Sequence, residues 1–301
     1  MPLNFDDVHP QTIQDLIERD LPINPCWIEP SILPKGGKLL FGGNAKIGKS
    51  FLMLELCRAL ATGTAPFGSP TISVPTPVRV LMLEQELGEW GLQKRVRRVM
   101  KDENPDLIRK NLHYLSQMRQ LKLNSPRGLE HISRWVQEVG AQVLFLDPIG
   151  QMHDWDENDS GQINRLFSSL ERIQDACSDL DLSIIISHHF GKPNRDPRVE
   201  IDPFSPYNFR GSSKFYDVPD TLVTCLRKDV DPRGKWWMIE TKWETRQGAE
   251  LDDPYMRLSF DKQGDARVRI ESGPPLLEKI VVKPPTLKPL LPRPIVQTSL
   301  Y

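Results

Sequence analysis

The residues most able to do chemistry are contiguous: Gly43-Asn44-Ala45-Lys46-Ile47-Gly48-Lys49-Ser50, followed by Phe51. They satisfy G-x-x-x-x-G-K-[ST] in full, and each residue type has a physical task. Glycines let the backbone wrap phosphate oxygens, and the exposed N–H groups at a helix N-terminus hold negative charge. Lys49 is suited to reach the β- and γ-phosphates, and the Ser50 hydroxyl to ligate magnesium. The expected ligands are ATP and Mg2+, with Gly43 to Phe51 as the binding segment.

Further candidates sit at the ends of apolar runs. Asp147 closes Val143-Leu144-Phe145-Leu146, where a carboxylate faces the crevice beyond the strand tips and can hold magnesium through water. Glu86 lies two residues beyond Glu84 in Val80-Leu81-Met82-Leu83-Glu84-Gln85-Glu86. Hydrolysis needs a base or an orienting group for water, and a carboxylate on a neighbouring strand end can supply it. Glu84 competes with Glu86 for that role. Ser187-His188-His189 ends Ile184-Ile185-Ile186, so His188 and His189 are both candidates to hydrogen-bond the γ-phosphate and register its loss. Arg210, in Arg210-Gly211-Ser212-Ser213-Lys214, is a cation that could stabilise the γ-phosphate of its own subunit or the next.

These residues must be positioned by strands and helices, and the sequence pattern supplies both. Leu39 to Gly43 reads as a strand leading into the loop, and Phe51 to Ala61 as a helix apolar almost all round, hence covered on every side. Val78 to Glu84, Leu112 to Leu115, Val143 to Asp147 and Leu182 to Ser187 read as strands. Helices are expected near residues 88–101, 126–139 and 160–178. Continuous apolar strands alternating with helices predict a mostly parallel sheet covered on both faces. Leu222 to Leu226, Trp236 to Trp243 and Met256 to Phe260 predict antiparallel strands added to it. Residues 6–19 read as a short amphipathic helix, with Val8, Ile13, Leu16 and Ile17 able to share a face. From Ser272 the composition turns to Pro, Lys and Leu, which predicts an extended tail. The expected division is a helical arm over 1–26, a RecA-like P-loop α/β domain over 27–271, and a Pro-rich tail over 272–301.

Composition narrows the alternatives. With 301 residues, 39% hydrophobic and 26% charged, the chain can bury one sizeable core. A formal net charge of -1 gives no global basic footprint, so nucleic-acid contact must rest on local clusters. Cys26, Cys57, Cys177 and Cys225 lie far apart without metal-ligand spacing, which favours free thiols in a reducing cytoplasm. No apolar run is long enough to span a membrane.

Several motifs coincide in order: Ile32-Leu33-Pro34-Lys35-Gly36-Gly37, the phosphate loop, Leu83-Glu84-Gln85-Glu86, Leu146-Asp147-Pro148, the acidic run His153 to Asp159, Ser187-His188-His189 and Arg210-Gly211-Ser212-Ser213. Over about residues 27–262 the chain resembles the RecA-type ATPases related to the plasmid RepA replicative helicase. The resemblance implies a ring, commonly a hexamer, with ATP between subunits. Glu86 then matches the catalytic carboxylate, Asp147 the magnesium aspartate, His188 or His189 the phosphate sensor, and Arg210 an arginine finger. Lys242 and Arg246 would be further cations acting on the neighbouring subunit.

The expected partners are further copies of the chain and single-stranded DNA. In the stretch from Gly191 to Phe209, Lys192, Arg195 and Arg198 interleave with Phe204, Tyr207 and Phe209, which suits single strands by charge and stacking. The loop carrying Asp154, Asp156, Glu157 and Asp159 would instead repel phosphate. Lys283-Pro284-Pro285 and Pro289-Leu290-Leu291-Pro292-Arg293-Pro294 could dock on a replication partner as polyproline II. Two functions compete: a ring-forming DNA helicase or translocase, and an ATP-switched adaptor or loader with slow hydrolysis.

Overall fold

A computed structural model describes residues 9–20, 25–118, 120–191, 202, 204–205, 208, 213–231, 233, 235–246, 255–260 and 266–271. In chain order the elements are α1 (Ile13–Glu18), β1 (Cys26–Ile28), β2 (Leu33–Pro34), β3 (Lys38–Gly43), α2 (Lys49–Thr62), β4 (Val80–Glu84), α3 (Gly88–Val99), α4 (Pro105–Asn111) and β5 (Leu112–Ser116). There follow α5 (Pro126–Val139), β6 (Val143–Asp147), α6 (Ser160–Ala176), β7 (Ser183–His189), α7 (Lys214–Asp217), β8 (Thr221–Val230), β9 (Trp236–Thr245), β10 (Tyr255–Phe260) and β11 (Ala266–Glu271).

Strands β3 to β11 form one nine-stranded sheet in the order β11-β10-β9-β8-β3-β7-β6-β4-β5, and β1 and β2 pair as a separate two-stranded sheet. From β5 through β8 neighbouring strands are parallel; β8, β9, β10 and β11 are joined antiparallel. This is the expected α/β class, a mostly parallel sheet with antiparallel C-terminal strands.

The pleat explains why the parallel strands read as continuous apolar runs. Successive side chains point to opposite faces, and both faces are covered. On one face Phe41, Val80, Met82, Phe145 and Ile185 pack with the α2 residues Leu52, Leu56 and Leu60. On the other, Leu40, Leu81, Leu144, Ile184 and Ile186 pack with Ile132 and Val136 of α5 and Ile163, Leu170 and Ile173 of α6. Helix α2 thus packs against both the parallel strands and the C-terminal strands of the same sheet, whose Met256, Leu258 and Val268 join the first cluster. That position explains why it is apolar all round.

Local signals set the helix ends. Ser125 caps α5, accepting from the Gly128 N–H, with Pro126 in the first turn, and Gly140 closes the helix at φ 62°. Asp159 caps α6 by accepting from the Gly161 and Gln162 N–H groups. The N-terminal helix is shorter than its periodicity suggests. Thr12 and Asp15 form a capping box around a six-residue helix, and Ile13, Leu16 and Ile17 are exposed; Val8 falls outside the described residues. The Pro-rich tail also lies outside them. No helix among the described residues is long and apolar enough to cross a membrane.

Candidate active site

The parallel strands β3, β4, β6 and β7 present their C-terminal ends along one edge of the sheet, where crevices form in open α/β sheets. There the chain leaves β3 through a loop that glycine makes possible. Gly43 has φ 156°, and a Cβ on it would come within 2.4 Å of Ile47 Cδ1 and 2.6 Å of the Cys225 carbonyl. Gly48, the N-cap of α2, has φ 109° and lies under Ile239 and Leu258. Arg227 of β8 donates to the Lys46 carbonyl. The loop is therefore clamped between the parallel strands and the antiparallel ones.

Lys49 projects into the mouth of this loop. Its ammonium donates to the carbonyls of Gly43 (2.7 Å) and Asn44 (2.8 Å) and lies 3.2 Å from His189 Nδ1. Burial pushes its pKa down to about 8, against the opposing pull of Cys225, Asp147 and Glu86. Lys46, Gly48, Ser50 and Phe51 join Lys49 in lining a cavity of about 270 Å³, with Glu86, Arg95, Asp147, Ser187, His189 and Trp237 as the remaining walls. Asn44 and Ala45 are exposed on the loop, and Ile47 is buried beneath it.

Asp147 is buried at the tip of β6 and accepts a hydrogen bond from the Ser187 hydroxyl of β7. Burial raises its pKa; the bond from Ser187 opposes that, Glu86 adds to it, and Lys49 and the Ser50 hydroxyl pull it back. A carboxylate beside a serine hydroxyl is a hard oxygen set of the kind magnesium takes. Asp147 and Ser50 therefore fit the metal role expected of them.

The two glutamates separate cleanly. Glu84 pairs with Asp147 in the parallel register of β4 and β6 and is fully buried. Its Oε1 accepts from the backbone N–H of Glu86 (2.8 Å) and of Leu87, so it shapes the turn after β4. Glu86, carried by that turn, is exposed and lines the cavity.

The two histidines separate for the same geometric reason. Strand alternation sends His189 to the cavity and His188 to the opposite face. His188 is buried, stacks on Phe215 with centroids 4.1 Å apart, and lies 4.0 Å from Glu157 Oε1. Of the pair, only His189 lines the phosphate cavity.

The remaining candidates are spread more widely. Arg210 lies outside the described residues, as do Lys192, Arg195, Arg198, Tyr207 and Phe209. Lys242 pairs with Glu244 at 2.9 Å, and Arg246 donates to the carbonyls of Asp217 and Val218. In the acidic loop, Asp154 pairs with Lys122 at 2.8 Å, Asp156 accepts from the Asn158 N–H, and Asp159 caps α6. These carboxylates hold the loop together. All four cysteines are buried, and none forms a disulfide.

Arg95, Ser187 and Trp237 are cavity residues that were not singled out as site residues in the sequence. Arg95 sits over the Phe51 ring at 5.2 Å; burial lowers its pKa while Asp147, Glu86 and Glu84 oppose. Its signal was faint: it neighbours the buried stripe Leu92-Val96-Val99 of α3 without belonging to it. The Trp236-Trp237 pair indicates that one ring faces each side of β9, but not which side meets the loop.

Comparison with known proteins agrees with this geometry. No curated protein matches the chain. A family model described as an AAA domain matches residues 5–195, more than half of the 301 residues. The match spans the phosphate loop, Glu86, Asp147 and His189 and ends before the antiparallel strands. The chain belongs to this AAA domain family, AAA_25, and its core is a P-loop ATPase domain.

Proposed function

We propose that the protein is an ATP-hydrolysing, RecA-like motor: a ring-forming DNA helicase or translocase, related to the plasmid RepA helicases and serving plasmid or phage replication. The observation that carries the hydrolytic part is the convergence of Lys49, Ser50, Glu86, Asp147 and His189 on one cavity at the strand tips. The motor part rests on the order of motifs along the chain.

In this reading Lys49 leaves its two loop carbonyls to hold the β- and γ-phosphates. Asp147 and Ser50 hold magnesium, which when bound would neutralise charge on the β- and γ-oxygens. Glu86, exposed at the mouth of the cavity, orients the attacking water and takes up its proton. His189, 3.2 Å from Lys49, is suited to follow the γ-phosphate through the same ammonium. Arg210 completes the site from an adjacent copy in a hexameric ring. Single-stranded DNA is the proposed track, and the Pro-rich tail the proposed handle for a replication partner.

Measuring ATP hydrolysis with and without single-stranded DNA, and strand displacement, on wild type, Lys49→Ala and Arg210→Ala tests this. Both variants should lose unwinding, and Lys49→Ala should also lose hydrolysis. Unwinding that survives either change refutes the mechanism. Wild-type hydrolysis without displacement would favour the adaptor or loader reading.

A further inference from the structure

Beside the phosphate cavity lies a second cleft that the hydrolytic mechanism leaves without a role. Its volume is about 620 Å³, and its walls include Phe51, Trp90, Arg95, Arg98, Trp237 and Phe260. Phe51, Arg95 and Trp237 line both spaces, so the two adjoin. The phosphate cavity alone, about 270 Å³, falls just below the range of roughly 300–1,000 Å³ typical of organic-ligand pockets. It has room for a triphosphate tail, and a group attached to that tail can extend past Phe51 into the cleft.

The walls of the cleft are built to receive a flat π-system. Phe51 and Phe260 meet edge to face at 5.5 Å, and Trp237 and Phe260 at 5.3 Å. The Arg95 guanidinium lies 5.2 Å over Phe51 and that of Arg98 5.8 Å over Phe260. Trp90, 77% exposed, stands at the rim. Aromatic rings and guanidinium planes stack with nucleobases whatever their sequence identity, because every base offers a π-face.

What lines the cleft also limits its selectivity. The polar side chains there are Lys94, Arg95 and Arg98, and none of the lining side chains is a carboxylate or carboxamide. Cations donate hydrogen bonds and accept none. The adenine amino group therefore meets no side-chain acceptor, whereas the O6 and N7 acceptors of guanine suit these donors.

We infer that the cleft between α3 and the strands β9 and β10 holds the base of the nucleotide by stacking, and that it accepts purine triphosphates without preferring adenine over guanine. The inference rests on the phosphate site proposed above, and it adds the base-binding walls and the substrate range. Trp237 and Phe260 lie beyond the segment matched by the family model, so the stacking wall comes from the C-terminal strands of this chain.

Calorimetric titration with ATP, GTP, CTP and inorganic tripolyphosphate, each with magnesium, on wild type, Trp237→Ala and Trp237→Phe is the test. GTP should bind at least as tightly as ATP, since the cations of the cleft can donate to guanine O6 and N7 and no lining side chain accepts from the adenine amino group. CTP, with a smaller ring face, should bind more weakly. Trp237→Ala should weaken ATP and GTP by about tenfold or more, as expected for loss of one stacking partner. Tripolyphosphate affinity should fall by much less than ATP affinity, and Trp237→Phe should restore most of the loss. Equal weakening of tripolyphosphate would mean that Trp237 only shapes the loop, and unchanged ATP affinity that the base lies elsewhere. A strong preference for ATP over GTP would overturn the unselective reading. If wild type binds neither ATP nor tripolyphosphate, or binds both equally well as Lys49→Ala, the phosphate site itself is refuted, and that result is distinct from the others.

Discussion

Between β5 and β8 the strands run parallel, and Asp147, Ser187 and His189 sit at or next to their C-terminal tips. Between β8 and β11 they alternate in direction, and what reaches the same cavity is a face, through Trp237 and the apolar cover of Ile239 and Leu258 over Gly48. The contrast follows from connectivity. Parallel strands joined by crossover helices bring all their C-terminal loops to one edge, so groups that act on a reacting phosphate collect there. An antiparallel ribbon sends its turns to both edges, and only its side-chain face can contribute. In the proposed mechanism, chemistry thus comes from strand tips, and containment and base contact from a strand face. The two halves should respond differently to mutation.

The largest effect is expected at Glu86. Glu86→Gln removes the proton acceptor but keeps the shape, and single-turnover ATP hydrolysis should fall by about 10²–10⁴ while ATP affinity is retained. Glu84→Gln keeps an acceptor for the N–H groups of Glu86 and Leu87 and should leave most of the rate. If the two variants exchange behaviours, the assignment of roles along this turn is reversed.

Core truncations sharpen the contrast through stability. Phe145, fully buried on central β6, should cost about 3–5 kcal/mol as Phe145→Ala, read from urea unfolding. Leu258→Ala in β10 should cost about 2–5 kcal/mol and also weaken nucleotide binding, because Leu258 covers the N-cap of α2 at Gly48. Nucleotide affinity unchanged in Leu258→Ala would show that the ribbon does not brace the loop.

The parallel half was far more legible in the sequence than the ribbon. The runs Val143 to Asp147 and 126–139 match β6 and α5 to the residue, because an apolar run ends sharply at a carboxylate and Ser125-Pro126 and Gly140 bracket the helix. Strand β11 went unread: in Ala266 to Glu271 arginines alternate with apolar residues, a half-buried pattern too short to stand out. Helix α4 was missed although Asn104 and Pro105 mark its start, since seven residues carry little periodicity. The phosphate loop, Asp147 and Glu86 were readable because each lies next to a strand that announces it. Arg95 and Trp237 were not, because their facing depends on how α3 and β9 pack, which no local pattern specifies. Alternation required His188 and His189 to diverge, but only the packing of Phe215 and Glu157 settles which one faces the core.

The smallest effect in this series, and the most direct probe of how the two halves meet, is the pH dependence of phosphate binding. Lys49 is enclosed between its own loop and Cys225 of β8, and burial holds its pKa at about 8. A bound triphosphate favours the protonated amine, so binding should take up protons where the free protein has lost them. The free site is mostly charged at pH 7 and mostly neutral at pH 9. Affinity should therefore be flat below pH 7, weaken by about fivefold from pH 8 to pH 9 and by about tenfold per unit beyond, with proton uptake visible as a buffer-dependent binding enthalpy. In Leu258→Ala, where the cover over the loop is thinned, water reaches Lys49 more easily and its pKa should climb towards that of an exposed lysine. The fall in affinity should then begin at higher pH. An unshifted profile in that variant would place the desolvation of Lys49 in the parallel half alone, and the ribbon would lose its claim on the electrostatics of the site.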